Sequence, residues 1–191
     1  EHPYPSAVNA VWEIIGYYLS NAASLGIDSN QVGIGGHSAG GNLAAVMCLR
    51  SASEKRFSFR FQILDYPPLD LATSSGQKKQ PKGCIPKETA EIFDACYLAD
   101  HDPRSPYISP VYAEDELLKT LPPALIILAG QDSLHDEGYL YFQRLTAAGI
   151  PVRLLDYPGV LHGFTYKKDA AAQEAVQAMA DFIAVYLSST L

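Results

Sequence analysis

The sequence is poor in the residues that mark several classes of protein. Its three cysteines are odd in number and form no C-x-x-C pair. A disulfide framework is therefore not expected, and a reducing, cytoplasmic location is predicted. Basic residues are also few, since 14 Lys and Arg stand against 21 Asp and Glu, for a net charge of −7. Neither nucleic acid nor an anionic lipid surface is an expected partner of such a chain.

Long apolar runs and metal-binding spacings are missing as well. No uninterrupted apolar run approaches the ~20 residues needed to cross a bilayer, so no membrane span is expected. The sequence has no H-E-x-x-H, no H-x-H and no C-x-x-C, and a metal site is not predicted. Because no G-x-G-x-x-G follows a predicted strand, a dinucleotide cofactor is not predicted either. We therefore expect a protein that works without a cofactor.

Periodic apolar residues are plentiful and predict alternating helices and strands within 191 residues, enough for one domain with a real core. The helices are predicted over 7–25 (with Ser6 as N-cap and Gly26 as stop), Gly40–Arg50, Lys87–Leu98, His135–Ala148 and Ala170–Ser188. The strands are predicted over Gln31–Gly35, Phe59–Leu64, Ala124–Leu128 and Val152–Tyr157. Apolar strands that alternate with helices favour an α/β fold with a parallel sheet covered on both faces. Ligands of such sheets bind at the carboxyl ends of the strands.

The stretch from Pro67 to Pro110 departs from this alternation. It begins with a segment rich in Pro, Ser, Gly and Lys and then contains the predicted helix Lys87–Leu98. We interpret residues 67–110 as an excursion inserted between two strands, in the manner of a lid or cap.

Ser38 follows the first predicted strand, in the run G-H-S-A-G-G over residues 36–41. A G-x-S-x-G-G between an apolar strand and a helix predicts a sharp turn that exposes a nucleophilic serine. Gly36 and Gly40 are expected at the two places where a side chain would collide. The backbone N–H of Ala39, at the start of the helix, is predicted to donate to a developing oxyanion.

Asp132 and His162 follow two later strands of the predicted sheet. Asp132 could instead cap the next helix, but Asp136 in its first turn is better placed for that role. His162 lies in a glycine-bounded loop, whereas His37 is predicted to point away from the nucleophile. The order Ser, Asp, His, each after a successive strand, is that of the α/β-hydrolase triads. We therefore predict a nucleophile, an orienting carboxylate and a general base in that order; the remaining histidines, predicted to be surface residues, are His2, His101 and His135.

Four ordered motifs together resemble those of the hormone-sensitive lipase-like esterases. They are E-H-P-Y-P at 1–5, G-H-S-A-G-G-N-L-A at 36–44, D-S-L-H-D-E-G at 132–138 and Y-P-G-V-L-H-G-F at 157–164. The resemblance implies an α/β-hydrolase fold with a mostly parallel sheet. It also implies a carboxylic-ester hydrolase that acts on small, relatively apolar acyl esters. Candidate walls of the substrate pocket, chosen near strand ends or the excursion, are Tyr66, Tyr97, Leu161 and Phe164.

The sequence departs from the family pattern in two places. Asp is more usual than His37 in the nucleophile motif, and the His-Gly-Gly-Gly loop that supplies further oxyanion donors is absent, as the one His-Gly pair is His162-Gly163. Loss of one such donor costs about 3–4 kcal/mol of transition-state stabilisation. The chain is thus expected to be the C-terminal part of a larger hydrolase, with the strand Gln31–Gly35 left at an edge of the sheet. Association with the N-terminal segment or with a second copy is the expected partnership, besides the ester substrate.

Three other functions remain open from the residues. A serine peptidase of the prolyl oligopeptidase type also has a nucleophile motif that ends in Gly-Gly. A non-catalytic binding protein is a second alternative, because plant gibberellin receptors share the fold and the motif but lack the catalytic histidine. A folding or interaction module without activity is the third. Retention of His162 with Ser38 and Asp132 favours the enzyme.

Overall fold

The computed structural model describes residues 2–188, and in these residues seven α-helices surround four strands. The helices are α1 (Ser6–Ser20), α2 (Ala22–Leu25), α3 (Ala39–Glu54), α4 (Lys87–Leu98), α5 (Asp115–Leu118), α6 (His135–Ala147) and α7 (Ala170–Ser188). The strands are β1 (Ile34–His37), β2 (Gln62–Asp65), β3 (Ala124–Gln131) and β4 (Val152–Leu161), and two short 3-10 turns occupy Pro110–Tyr112 and Phe164–Tyr166.

The four strands form one parallel sheet in the order β1-β2-β3-β4. Gln62 of β2 pairs with Ile34 on one side and with Ala124 on the other. Ala124 in turn pairs with Val152, so the first residues of the strands lie in one row. The predicted parallel α/β sheet is confirmed. Because all four strands run the same way, their carboxyl ends meet at one edge of the sheet, and within the described residues β1 is an outer strand.

Alternate side chains of β3 enter two separate cores. Ile126 and Leu128 pack with α1, α3 and α6 on one face of the sheet. Leu125 and Ile127 pack with α7 on the other face. Successive side chains of a strand point to opposite faces, so a strand covered on both sides has no polar position. This double burial explains why residues 124–129 are apolar throughout.

The first helical prediction is correct at its end but wrong in its continuity. The helix is interrupted at Asn21, between α1 and α2. Ser6 is the first residue of α1 and Pro5 is its N-cap, so Ser6 is not the N-cap. Gly26 does end α2, with a left-handed φ of 68°. The next strand begins at Ile34 rather than at Gln31, because Gln31 lies in a turn in which its N–H donates to the Asp28 carbonyl at 2.9 Å.

Two strands are longer than the sequence predicts. β3 continues to Gln131 and β4 to Leu161, and these two end residues pair with each other beyond a register shift. Glycine and proline near both predicted ends are typical of loops, but here they lie within paired strands. In addition, α3 extends past Arg50 to Glu54, β2 covers Gln62–Asp65 instead of Phe59–Leu64, and α6 ends one residue early. The helices Lys87–Leu98 and Ala170–Ser188 lie where the periodicity predicts them.

Candidate active site

Ser38 lies at the sharp turn from β1 into α3. Its backbone has φ 51° and ψ −123°, a strained conformation for a residue with a side chain. The Ser38 N–H donates to the Asp65 carbonyl at 2.9 Å, and the Ser38 carbonyl accepts the Gly41 N–H at 2.8 Å. Bonds to both β2 and α3 therefore hold the strained residue in place.

Glycine is required at Gly36 because a Cβ there would lie 2.3 Å from the Gly40 carbonyl carbon. The expectation that Gly40 also needs to be glycine for lack of space is wrong, since a Cβ on it would meet nothing within 4 Å. The second crowded position is Gly41, where a Cβ would lie 3.0 Å from the Gly36 oxygen and from Pro67. The chain reverses too closely at 36 and 41 for side chains, while 40 faces open space.

The structure brings Ser38, Asp132 and His162 together at the carboxyl edge of the sheet. Asp132 follows β3 and is buried, and His162 follows β4. His162 Nδ1 lies 2.6 Å from Asp132 Oδ2, and His162 Nε2 lies 2.8 Å from Ser38 Oγ. A carboxylate only accepts, so Nδ1–H is the donor and Nε2 is left to accept the serine hydroxyl proton. The arrangement can therefore draw a proton from Ser38.

His37 belongs to a second hydrogen-bond network, which sequence reasoning missed. Its Nδ1 contacts the buried carboxylate of Asp65. Thr165 Oγ1 donates to the same carboxylate at 2.7 Å, and the hydroxyl of Tyr66 lies 2.6 Å from Thr165 Oγ1. Burial raises the pKa of Asp65, against the lowering effect of the bonds from Thr165 and His37. The network joins the ends of β1 and β2 to the segment that follows His162. It therefore helps to hold the loop that carries His162 in place.

The other histidines lie away from this network. His2 and His101 are exposed, in agreement with the surface prediction. His135 is partly buried instead, with its two ring nitrogens 3.1 Å from the carboxylates of Asp136 and Asp156. Its place in the first turn of α6 puts it beside the middle of β4, at Asp156, and a sequence pattern cannot reveal this contact.

A cavity of about 460 Å³ opens beside Ser38. It is lined by Ala7, Ser38, Ala39, Asn42, Leu43, Pro68, Leu71, Ile85, Ala90, Phe93, Asp94, Tyr97, Ser133 and Leu134. Tyr97, a predicted wall residue, is one of them. Tyr66, Leu161 and Phe164 do not line this cavity, since Tyr66 and Phe164 are buried in the core under α7 and Leu161 lies against Gly83. A position near a strand end does not show whether the side chain enters the cavity or the core beneath it.

A buried ion pair ties the excursion to α6. Lys78 Nζ lies 2.6 Å from Glu137 Oε2, and both side chains are nearly inaccessible to solvent. Glu137 Oε1 also accepts the backbone N–H groups of Leu69 and Asp70 at 2.7 and 3.1 Å. Burial raises the pKa of Glu137 to about 7, although Lys78 and the two N–H groups oppose that rise. The first half of the excursion is thus held against α6 at two places, residues 69–70 and Lys78.

No group of three or more His, Cys, Asp or Glu side chains within residues 2–188 is arranged to hold a metal ion. Among the helices of the same residues, none combines the length and the apolar character that a membrane span requires.

The nucleophile turn, the Asp–His pair and the parallel sheet define a protein of the α/β-hydrolase class. Residues 1–166 match the family model described as the alpha/beta hydrolase fold, and the chain belongs to this family. A carboxylesterase of Mycobacterium tuberculosis is 34% identical over 171 residues, which are 86% of this chain and 53% of that protein. An ethyl acetate hydrolase of Pseudomonas putida is 31% identical over 169 residues, 84% of this chain and 51% of that protein.

Solved structures show the same likeness. A thermostable esterase from Pseudomonas putida superposes with a TM-score of 0.90 at 29% identity, over 98% of this chain and 61% of that one. An esterase of Pyrobaculum calidifontis gives a TM-score of 0.87 at 32% identity, over 98% of this chain and 63% of that one. The predicted membership of the hormone-sensitive lipase-like esterases is confirmed by these relatives. The chain spans about half the length of the curated relatives it matches.

Proposed function

We propose that this chain carries the catalytic triad of a carboxylic-ester hydrolase that acts on small, relatively apolar acyl esters. The observation that carries the proposal is the hydrogen-bonded series from Ser38 through His162 to Asp132, with distances of 2.8 and 2.6 Å. Esterases among the relatives support the same reaction. Retention of His162 argues against a receptor that only binds its ligand.

The geometry supplies each step of an acyl-enzyme mechanism. Ser38 Oγ attacks the acyl carbon while His162 Nε2 takes the hydroxyl proton, and the carbonyl oxygen becomes an oxyanion. The imidazolium then gives that proton to the departing alcohol, which leaves an ester on Ser38. Water attacks this ester in the same way, His162 returns the proton to Ser38, and the carboxylic acid is released. Asp132 stabilises the imidazolium, and the Ala39 N–H contributes to oxyanion binding at the start of α3.

The cavity supports the apolar character of the substrate. Leu43, Leu71 and Ile85 lie among its walls, and helix α4 of the 67–110 excursion covers one side of it. We propose that this excursion acts as a cap over the bound ester and that no cofactor takes part. The free cysteines Cys48, Cys84 and Cys96 support a cytoplasmic location.

Turnover of p-nitrophenyl acetate and butyrate tests the proposal directly. Ser38→Ala is expected to abolish turnover above the background rate, whereas Ser24→Ala, at an exposed serine of α2, should leave it unchanged. A fluorophosphonate probe should label Ser38, as located by peptide mass analysis. Undiminished turnover in Ser38→Ala, or failure of the probe to label Ser38 in the full-length hydrolase, would refute the proposed function.

A further inference from the structure

One face of helix α4 is turned toward the cavity that holds Ser38. Ala90, Phe93, Asp94 and Tyr97 all line it, and their spacing of three and four residues places them on one side of a helix. Three of these four residues are aromatic or charged, whereas the other walls are mostly aliphatic, with polar groups at Ser38, Asn42 and Ser133. The wall formed by α4 is therefore the chemically distinctive part of the cavity.

Asp94 is the charged residue among those that line the cavity. Its Oδ2 accepts the hydroxyl of Ser75 at 3.2 Å. Partial burial raises the pKa of Asp94, while Lys78 and the Ser75 hydroxyl lower it and Glu91 adds a repulsive charge. Lys78 is already bound to the Glu137 carboxylate at 2.6 Å and to the Asp70 carbonyl at 2.7 Å. The Asp94 carboxylate thus stands in a partly apolar wall, and Lys78, the cation that acts on it, is held by another acid.

Two aromatic rings accompany this carboxylate. Phe93 and Tyr97 line the cavity on either side of Asp94 along the helix. The buried hydroxyl of Tyr97 has no hydrogen-bond partner among the described residues. Aromatic faces attract ammonium groups, and the combination of aromatic rings with a carboxylate is suited to quaternary or protonated amines. The chain's net charge of −7 favours the approach of cations over that of anions.

We propose that Asp94 is a specificity-determining residue that selects esters carrying an ammonium group, and that this group of the bound ester lies under α4. Phe93 and Tyr97 provide the aromatic surfaces against which that group packs. The inference rests on the proposed ester hydrolysis and adds to it the class of substrate. It concerns binding, so it can be tested without turnover.

The test compares two esters of the same shape, acetylcholine and 3,3-dimethylbutyl acetate, in which carbon replaces the charged nitrogen. Calorimetric titration of the Ser38→Ala variant measures their dissociation constants without hydrolysis. The cation should bind at least about 10-fold more tightly, as expected of one close charge pair near a protein surface together with a cation–π contact. Adding Asp94→Asn should remove most of that ratio. Adding Glu88→Gln, at an exposed carboxylate of the same helix, should preserve it.

A second variant covers the case in which Asp94→Asn unfolds. Phe93 is 59% exposed, so Phe93→Leu should fold and should lower the preference for the cation by about threefold through the lost ring contact. Equal binding of the two esters to Ser38→Ala, or an unchanged ratio in folded Asp94→Asn, would overturn the inference, and if Asp94→Asn unfolds, an unchanged ratio in Phe93→Leu would do so. Turnover of p-nitrophenyl butyrate by the unmodified protein separately tests ester hydrolysis, so the two failures are distinguishable.

Discussion

Replacement of Gly130 by alanine should damage the site through the backbone alone. A Cβ at Gly130 would lie 2.5 Å from Pro158 Cα, about 0.9 Å short of the 3.4 Å at which ordinary contact begins. Gly130 precedes Asp132 by two residues, and Pro158 precedes His162 by four. The clash would push apart the two strand ends that carry the acid and the base. Because the backbone fixes the position of the new Cβ and the atom it meets belongs to the Pro158 backbone, rotation of a side chain cannot relieve the clash.

The size of this effect follows from the geometry. A shift near 0.9 Å would lengthen the 2.6 Å bond between Asp132 and His162 beyond the usual limit of about 3.2 Å. Misplacement of catalytic groups by about 1 Å costs roughly 10²-fold in rate. Overpacking of this kind also destabilises a fold by about 1–3 kcal/mol. Gly130→Ala should therefore lose both stability and reactivity.

Urea unfolding and the rate of fluorophosphonate labelling at Ser38 measure the two effects. Gly159→Ala is the matched control, because a Cβ on this neighbouring residue of β4 would meet nothing within 4 Å. We expect the control to unfold and react like the unmodified chain. If Gly130→Ala behaved like Gly159→Ala in both assays, the proposed backbone spacing between β3 and β4 would be refuted. Lost stability with unchanged labelling would refute the link from that spacing to the triad.

Further predictions concern charged groups. Asp132→Asn should lower kcat by about 10⁴-fold, because an amide donor favours the wrong tautomer of His162, with an unchanged urea midpoint as the check on folding. Glu137→Ala should cost about 3–5 kcal/mol in urea unfolding, since it leaves the buried Lys78 charge without a carboxylate and two backbone donors unpaired, whereas exposed Asp136→Ala should cost under about 1 kcal/mol. Glu137 holds its proton in the folded chain up to about pH 7 but releases it near its ordinary value of 4.5 when unfolded. The free energy of unfolding should therefore fall as the pH rises from 4.5 to 7, and Glu137→Gln should flatten that slope.

Local patterns were sufficient to predict the order of the four strands and the longer helices, but not the break after α1 or the short helix α5. They also placed Ser38, Asp132 and His162 each after a strand, and a parallel sheet brings such strand ends to one edge. The helix Lys87–Leu98 was predictable because its apolar residues recur with helical spacing. These features depend on short-range periodicity and on the general topology of α/β folds.

Contacts between distant segments were not predictable from one sequence. Asp65 and Thr165 are 100 residues apart, and their hydrogen bond depends on how the loop after His162 folds back onto β2. The pair Lys78–Glu137 joins a segment rich in loop-forming residues to a helix, and neither residue carries a local signal of burial. The extension of β4 through Pro158 was missed because proline usually marks the end of a strand.

The sheet order has a consequence for how the site responds to partial unfolding. Asp132 and His162 follow the neighbouring strands β3 and β4, while Ser38, the proposed nucleophile, follows the four-residue outer strand β1. Local opening starts where the fewest groups hold a segment, and β1 pairs with β2 alone among the described strands. Release of β1 would carry Ser38 away from an Asp132–His162 pair that stays intact. The reactivity of Ser38 therefore reports whether β1 is still paired. In rising denaturant, this reactivity should disappear before the signal of global unfolding changes.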